Sequence, residues 1–122
     1  MAQKNELGKK GEEIAYTYLK KLGYEIREQN WIYDHAEIDL IAFDGKELVI
    51  VEVKTRSAVI YEEPGEAVSS RKIRFLVHAA EAYIMENNLN VDTRFDVIGI
   101  KWYGHEKYSI EHFKDAFSPP VF

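Results

Sequence analysis

The chain contains no cysteine. Disulfides, thiolate metal sites and cysteine nucleophiles are therefore excluded. Proline is scarce, with three residues, two of them adjacent at Pro119-Pro120. Apolar runs are short, and Leu48-Val49-Ile50-Val51 is typical of them. A membrane-spanning helix needs about 20 apolar residues, so no membrane crossing is expected. Met1 to Lys10 is polar and has no apolar signal core. These absences point to a reducing, cytoplasmic location. A positive excess is missing too: 16 Lys and Arg face 21 Asp and Glu, for a formal net charge of −5. A module that coats nucleic acid indiscriminately would be basic. What is present is 122 residues with 46% hydrophobic and 30% charged content. That is one soluble domain, expected over residues 1–117, with a short tail over 118–122.

The negative charge is unevenly spread. Residues 1–30 carry six bases and five acids, and residues 69–122 carry seven of each. Residues 31–68 carry nine acids and three bases, a net of −6. Such a block is either a solvated loop or a site that collects a cation.

Leu7, Gly11, Ile14, Ala15, Tyr18 and Leu22 recur at three- and four-residue spacing. That predicts a helix over Asn5 to Leu22, stopped by Gly23. Glu12 projects at the edge of its apolar stripe, and Glu13 points to solvent. Tyr24 to Trp31, Ala36 to Phe43 and Leu48 to Lys54 read as strands, the last two joined by an Asp44-Gly45 turn. Alternation puts Ile38, Leu40 and Ala42 on one face. The third strand is apolar almost throughout, so it is expected to be central and covered on both sides. Thr55 to Val68, with Pro64-Gly65, reads as a loop. A second helix is expected over Ser70 to Asn88, capped by Ser69 or Ser70, with a stripe of Ile73, Leu76, Val77, Ala80, Tyr83 and Ile84. Arg94 to Trp102 is a fourth strand, and the weaker pattern of Lys107 to His112 suggests a fifth. The αβββαβ order predicts an α/β fold: a central mixed β-sheet flanked by α-helices, with one parallel crossover.

Glu37-Ile38-Asp39 lies on the second strand, and Glu52-Val53-Lys54 ends the third. Alternation pairs Glu37 with Asp39, and Glu52 with Lys54, on shared faces. The hairpin makes the strands neighbours, so Asp39 and Glu52 converge if the register aligns those faces. Partly buried carboxylates that close repel strongly. A divalent cation such as Mg²⁺, which binds one or two carboxylates plus waters and phosphate oxygens, removes the conflict. Lys54, about 6–7 Å further along the strand, could then stabilise charge on a phosphate or orient an attacking water. A Glu-x-Lys at a strand end is more often an exposed ion pair. The apolar run before this one, and Asp39 beside it, weigh against that bland reading.

Taken together, Gly8-x-x-Gly11-Glu12, Glu37-Ile38-Asp39-Leu40-Ile41 and Val51-Glu52-Val53-Lys54-Thr55-Arg56 resemble the YraN family of bacterial proteins, which is predicted to be endonuclease-like. The likeness continues through Asn30, Lys72, Ala79-Ala80 and Arg94-Phe95-Asp96-Val97 to Asp115-Ala116-Phe117. That family resembles the PD-(D/E)xK nuclease superfamily, in particular archaeal Holliday-junction resolvases. The resemblance implies a restriction-endonuclease-like fold. It also implies a metal-dependent nuclease that hydrolyses DNA at branched or damaged sites. By the same resemblance, Asp39 and Glu52 would bind Mg²⁺ or Mn²⁺, Lys54 would be the catalytic lysine, and Glu12 would reach the metal from the first helix. Ala36 stands where family members usually have Gly, and the Pro of the superfamily's name is absent; neither change removes a ligand.

Glu37 is expected behind the metal ligands or, alternatively, facing solvent from its strand. Arg56 and Lys72 are candidate phosphate contacts, although Arg56 also reads as an exposed loop cation. The basic residues of the two helices are further phosphate contacts or simply solvated faces. The four histidines lack zinc-site spacing. Gly8-x-x-Gly11 lacks the Lys-Ser/Thr of a phosphate loop and reads as a helix-packing device. Phe75 and Ala82 lie off the helix stripe and are candidate oligomer contacts. A homodimer is expected by analogy with enzymes that cut two strands. The alternatives to catalysis are a nucleic-acid-binding protein that keeps the nuclease fold, and a protein-interaction domain whose acids are structural.

Overall fold

Asn5 starts the first helix by accepting a hydrogen bond from the Gly8 N–H at 2.7 Å. Helix α1 runs over Glu6–Lys21. The N–H groups of Leu22 and Gly23 close it on the carbonyls of Tyr18, Leu19 and Lys20. Gly23 turns out of the helix at φ +94°. The computed structural model describes residues 5–58 and 68–118. It continues with β1 (Glu25–Tyr33), β2 (Ala36–Asp44), β3 (Glu47–Ser57), α2 (Ser70–Glu86), β4 (Thr93–Gly104) and β5 (Lys107–Phe113). Ser69 caps α2, its Oγ accepting the Lys72 N–H at 3.1 Å.

The five strands form one sheet in the order β1-β2-β3-β4-β5. Every pairing is antiparallel except β3 with β4, which is parallel across the α2 crossover. Several boundaries differ from expectation: β1 continues to Tyr33 and β4 to Gly104, and α2 ends at Glu86. β3 passes Lys54 and runs to Ser57, because β4 supplies ladder partners as far as Ser57↔Trp102. The expected loop therefore starts later. Its Pro64-Gly65 lies in 59–67, outside the described residues, as do residues 119–122 of the tail. The β2–β3 turn is Gly45-Lys46, with Asp44 paired to Glu47. Gly45 supplies the positive φ, +63°, that a two-residue hairpin needs. β5, weakly patterned in sequence, pairs with β4 along its length.

β3 is the centre of the sheet. Val49 and Val51 pack under α1 with Ile14, Ala15 and Leu19. Leu48 and Ile50 pack under α2 with Leu76, Ala79, Ala80 and Tyr83. Fully burying one such large aliphatic side chain stabilises by about 1.5–3 kcal/mol. Coverage on both faces is why the strand is continuously apolar. Three helix expectations shift. Ala79, not Ile73, completes the buried stripe of α2. Phe75 packs against the core rather than standing clear of it. Leu22 is exposed, because α1 has ended and Leu19 fills the buried position.

β2 breaks its own alternation. Leu40 and Ala42 lie under α1, but Ile38 joins Ile41 under α2. The expected shared face of Ile38, Leu40 and Ala42 is therefore split at Asp39. The pairs Gln29↔Leu40 and Trp31↔Ile38 bracket Asn30 and Asp39, which stand opposite one another. Asn30 has φ +51°, the left-handed region that Asn tolerates better than most residues. One such residue in a strand turns the following side chains to the other face, and β2 shifts with its partner.

Candidate functional site

The sheet forks between β2 and β3. Their ladder ends at Leu40↔Val51. β2 nevertheless stays with β1 to Tyr33↔Ala36, and β3 stays with β4 to Ser57↔Trp102. Asp39 sits where the strands part. Its Oδ2 accepts the Val53 N–H at 2.8 Å, replacing the carbonyl that a neighbouring strand would otherwise provide. Asp39 is 7% exposed and Glu52 is 4% exposed, so protein rather than water surrounds both carboxylates.

α1 approaches β3 closely at Gly11, where a Cβ would lie 1.8 Å from Thr55 Oγ1. Gly11 is thus a close-packing position, and Glu12 follows directly. One carboxylate oxygen each of Glu12, Glu37 and Asp39 lies within 4.8 Å of the other two. Asn30 Nδ2 donates to Glu12 Oε1 at 2.7 Å and to Glu37 Oε1 at 3.0 Å. One amide therefore bridges α1 and β2 and offsets part of the repulsion between the two glutamates.

Glu52 stands outside this group. It continues the α2-facing positions of Leu48 and Ile50, and its Oε1 lies 2.6 Å from Lys72 Nζ. Its Oε2 is buried with no hydrogen-bond partner among the described residues. The register makes Asp39 and Glu52 the next positions after Leu40↔Val51. The shift at Asp39, however, sends its carboxylate toward α1 while that of Glu52 meets α2. Lys54 and Arg56 follow at alternate positions of β3, both half-buried.

Of the residues singled out in the sequence, Glu12 and Asp39 come together, and Glu37 joins them as an equal member. Glu52 and Lys72 form a second charged unit on the other bank of the fork. Lys72, a candidate phosphate contact by sequence, is engaged with Glu52. The role of Asn30 was missed. Its one local signal is an Asn inside a strand, where that residue is disfavoured.

A second polar centre lies around Asp96, which is fully buried. Its carboxylate accepts from Arg94 Nε and Nη2 at 2.8 and 3.0 Å, from His112 Nε2 at 2.7 Å and from the Asp115 N–H at 3.0 Å. Arg94 also reaches Asp44, Glu47 and the Tyr24 hydroxyl. Burial by itself would raise the Asp96 carboxyl. The hydrogen bonds from Arg94, Asp115 and His112 outweigh it and hold the group below the usual carboxylate range. The Tyr24 hydroxyl is pushed up, first by burial, with Arg94 opposing. This network ties Tyr24, just before β1, to the β2–β3 hairpin, β4 and β5, and it is a structural clamp.

Fold and site together define a mixed α/β domain with an acidic fork in a five-stranded sheet. The model of Uncharacterised protein family UPF0102 matches residues 11–100. The chain belongs to that family. It is similar to a UPF0102 protein of Bacteroides thetaiotaomicron, 47% identical over 122 residues and covering all of both chains. It is also similar to one of Flavobacterium psychrophilum, 45% identical over 117 residues, covering 96% of this chain and 98% of the relative. Another, of Parabacteroides distasonis, is 42% identical over 122 residues, covering 98% of each. Among the described residues, no helix is long and apolar enough to cross a membrane.

Proposed function

We propose that this chain is a divalent-metal-dependent nuclease of restriction-endonuclease-like fold that hydrolyses phosphodiester bonds of branched or damaged DNA. One observation carries the reading. The carboxylates of Glu12, Glu37 and Asp39 meet within 4.8 Å at the fork, and Glu52 and Lys54 follow on the neighbouring strand. The αβββαββ order, with its single parallel pairing, supports the fold.

The residues fit Mg²⁺ or Mn²⁺. The donors are all hard, anionic oxygens, which such ions prefer. The buried Glu52 Oε2 is a further oxygen of the same kind, with no hydrogen-bond partner among the described residues. Glu12, Glu37 and Asp39 would hold the ion, and Glu52, whose carboxylate meets α2, would reach it across the fork through its open Oε2. A bound ion would lower the pKa of a water and polarise the phosphate. The chain's own groups do the rest. The Val53 N–H fixes the orientation of Asp39. Asn30 holds Glu12 and Glu37 close to each other. The Lys54 ammonium stabilises negative charge developing on the phosphate. Exposed Arg71 and Arg74 at the start of α2 supply phosphate contacts. A net charge of −5 then limits binding to this one site rather than forbidding it.

Incubation of linear, flapped and four-way DNA with Mg²⁺ or Mn²⁺ tests the proposal. Cleavage of the branched substrates is expected, and Asp39→Ala should abolish it. No cleavage of any substrate by the wild type, or equal cleavage by Asp39→Ala, refutes it.

A further inference from the structure

Glu52 is a half-satisfied buried carboxylate. Its Oε1 lies 2.6 Å from Lys72 Nζ, while its buried Oε2 meets no hydrogen-bond donor among the described residues. Buried polar atoms are normally paired, and an exception calls for a ligand or a function. Lys72 occupies the first turn of α2, its backbone N–H tied to Ser69 Oγ at 3.1 Å. A cation there opposes the helix dipole, and no acidic residue shares that turn. The lysine therefore adds nothing to the helix end; its favourable partner is Glu52. Because the helix end is capped, the ammonium is delivered to one carboxylate oxygen from a fixed base.

We propose that Lys72 is a positioning residue. It pins Oε1 of Glu52 and so presents Oε2 as the single oxygen that a divalent cation takes at the fork. The inference rests on the metal-dependent reading above and gives that site a selectivity. With Oε1 held, Glu52 binds through one oxygen. Mg²⁺ and Mn²⁺ accept such single-oxygen ligands in a tight octahedral shell, whereas larger Ca²⁺ readily takes a carboxylate through both oxygens. Lys72 thus favours the smaller ions without touching metal or DNA.

Calorimetric titration of the full chain with Mn²⁺ alone and with Ca²⁺ alone tests this, with no DNA present. Lys72→Met should weaken Mn²⁺ binding on the order of 10- to 100-fold, as loss of a group orienting a metal ligand does. Ca²⁺ binding should change less, so the preference for Mn²⁺ shrinks. Lys72→Arg should restore most of it. In a Glu52→Gln background, Lys72→Met should have no further effect. If Lys72→Met does not fold, Lys72→Gln takes its place in the cycle. Unchanged or tighter Mn²⁺ binding by the Lys72 variant overturns the positioning role, as does an equal loss in the Glu52→Gln background. Either result leaves the metal reading standing. A wild type that binds no Mn²⁺ overturns the metal reading itself, and the inference with it.

Discussion

Replacing Asp96 by Asn removes one charge from a fully buried position. In the native chain Oδ1 accepts from Arg94 Nε and the Asp115 N–H, and Oδ2 accepts from Arg94 Nη2 and His112 Nε2. Asn keeps one acceptor and turns the other into an NH₂ group facing donors. The charge partners of Arg94 are then Asp44 and Glu47, whose side chains are 38% and 39% exposed and so partly solvated. Breaking a buried pair from one side costs about 3–5 kcal/mol, a large share of the roughly 5–15 kcal/mol that holds a typical domain folded. Urea unfolding at neutral pH measures the loss. The pH dependence adds a second check. The folded Asp96 carboxyl lies below its ordinary value of 3.8. Its contribution is fully present above the unfolded value and disappears as pH falls through the folded one. Asn does not titrate. The gap between wild type and Asp96→Asn should therefore be wide at neutral pH and close as pH drops below 3.8. A neutral-pH gap under about 1 kcal/mol, far less than a broken buried pair costs, refutes the clamp. So does a gap that stays constant through the acid limb.

Gly11→Ala would place a methyl 1.8 Å from Thr55 Oγ1 and 2.8 Å from Thr55 Cβ. Rotating Thr55 relieves the first contact and not the second, so α1 must lift. Overpacking of about 1–3 kcal/mol then meets about 1 kcal/mol of gained helix propensity. A lower melting temperature is expected, and a variant more stable than wild type contradicts the close approach. In the β4–β5 turn, His105 and Glu106 have φ +51° and +61°. Left-handed backbone costs a non-glycine residue roughly 1–2 kcal/mol. Glu106→Gly relieves that and gives up an exposed ion pair to Lys10, which is worth about 0–1 kcal/mol. Its melting temperature should rise, and a fall would refute the strain.

The helices and the central strand were legible because their signals are local. Asn5 and Ser69 cap the helices that their positions announce. The Leu48–Val51 run reports double coverage without any knowledge of what covers it. The fork was not legible. The period-two rule assumes an unbroken strand, and the break at Asp39 arises from the backbone of Asn30 on another strand. For this reason period-two alternation misplaces Ile38, which lies under α2. Lys72 and Glu52 come together only through the docking of α2 on β3, a tertiary fact absent from either segment. The Arg94 clamp is the extreme case. Tyr24, Asp44, Glu47, Asp96 and His112 come from separate parts of the chain, and each alone reads as an ordinary polar residue.

Among the described residues, the acids of residues 31–68 other than exposed Asp34 fall into two groups in space. Asp44 and Glu47 lie at the hairpin end of β2 and β3, where Arg94 of β4 meets both. Glu37, Asp39 and Glu52 lie at the fork end, where Lys72 meets Glu52. The seven strand steps from Glu37 to Asp44 span about 23 Å. Salt at physiological strength screens charges beyond about 8 Å. The hairpin acids therefore exert little field at the fork, and their own cation offsets them further. Residues 69–122, neutral by count, donate Arg94 and Lys72 to acids of residues 31–68. A count over the whole chain therefore overstates the repulsion that an anionic substrate would meet. What matters at the fork is the local set of Glu12, Glu37, Asp39 and Glu52, gathered by Asn30, Val53 and Lys72. Those are the oxygens that a divalent ion would share with a phosphate. The charge that would repel DNA there is the charge that would bring in the metal.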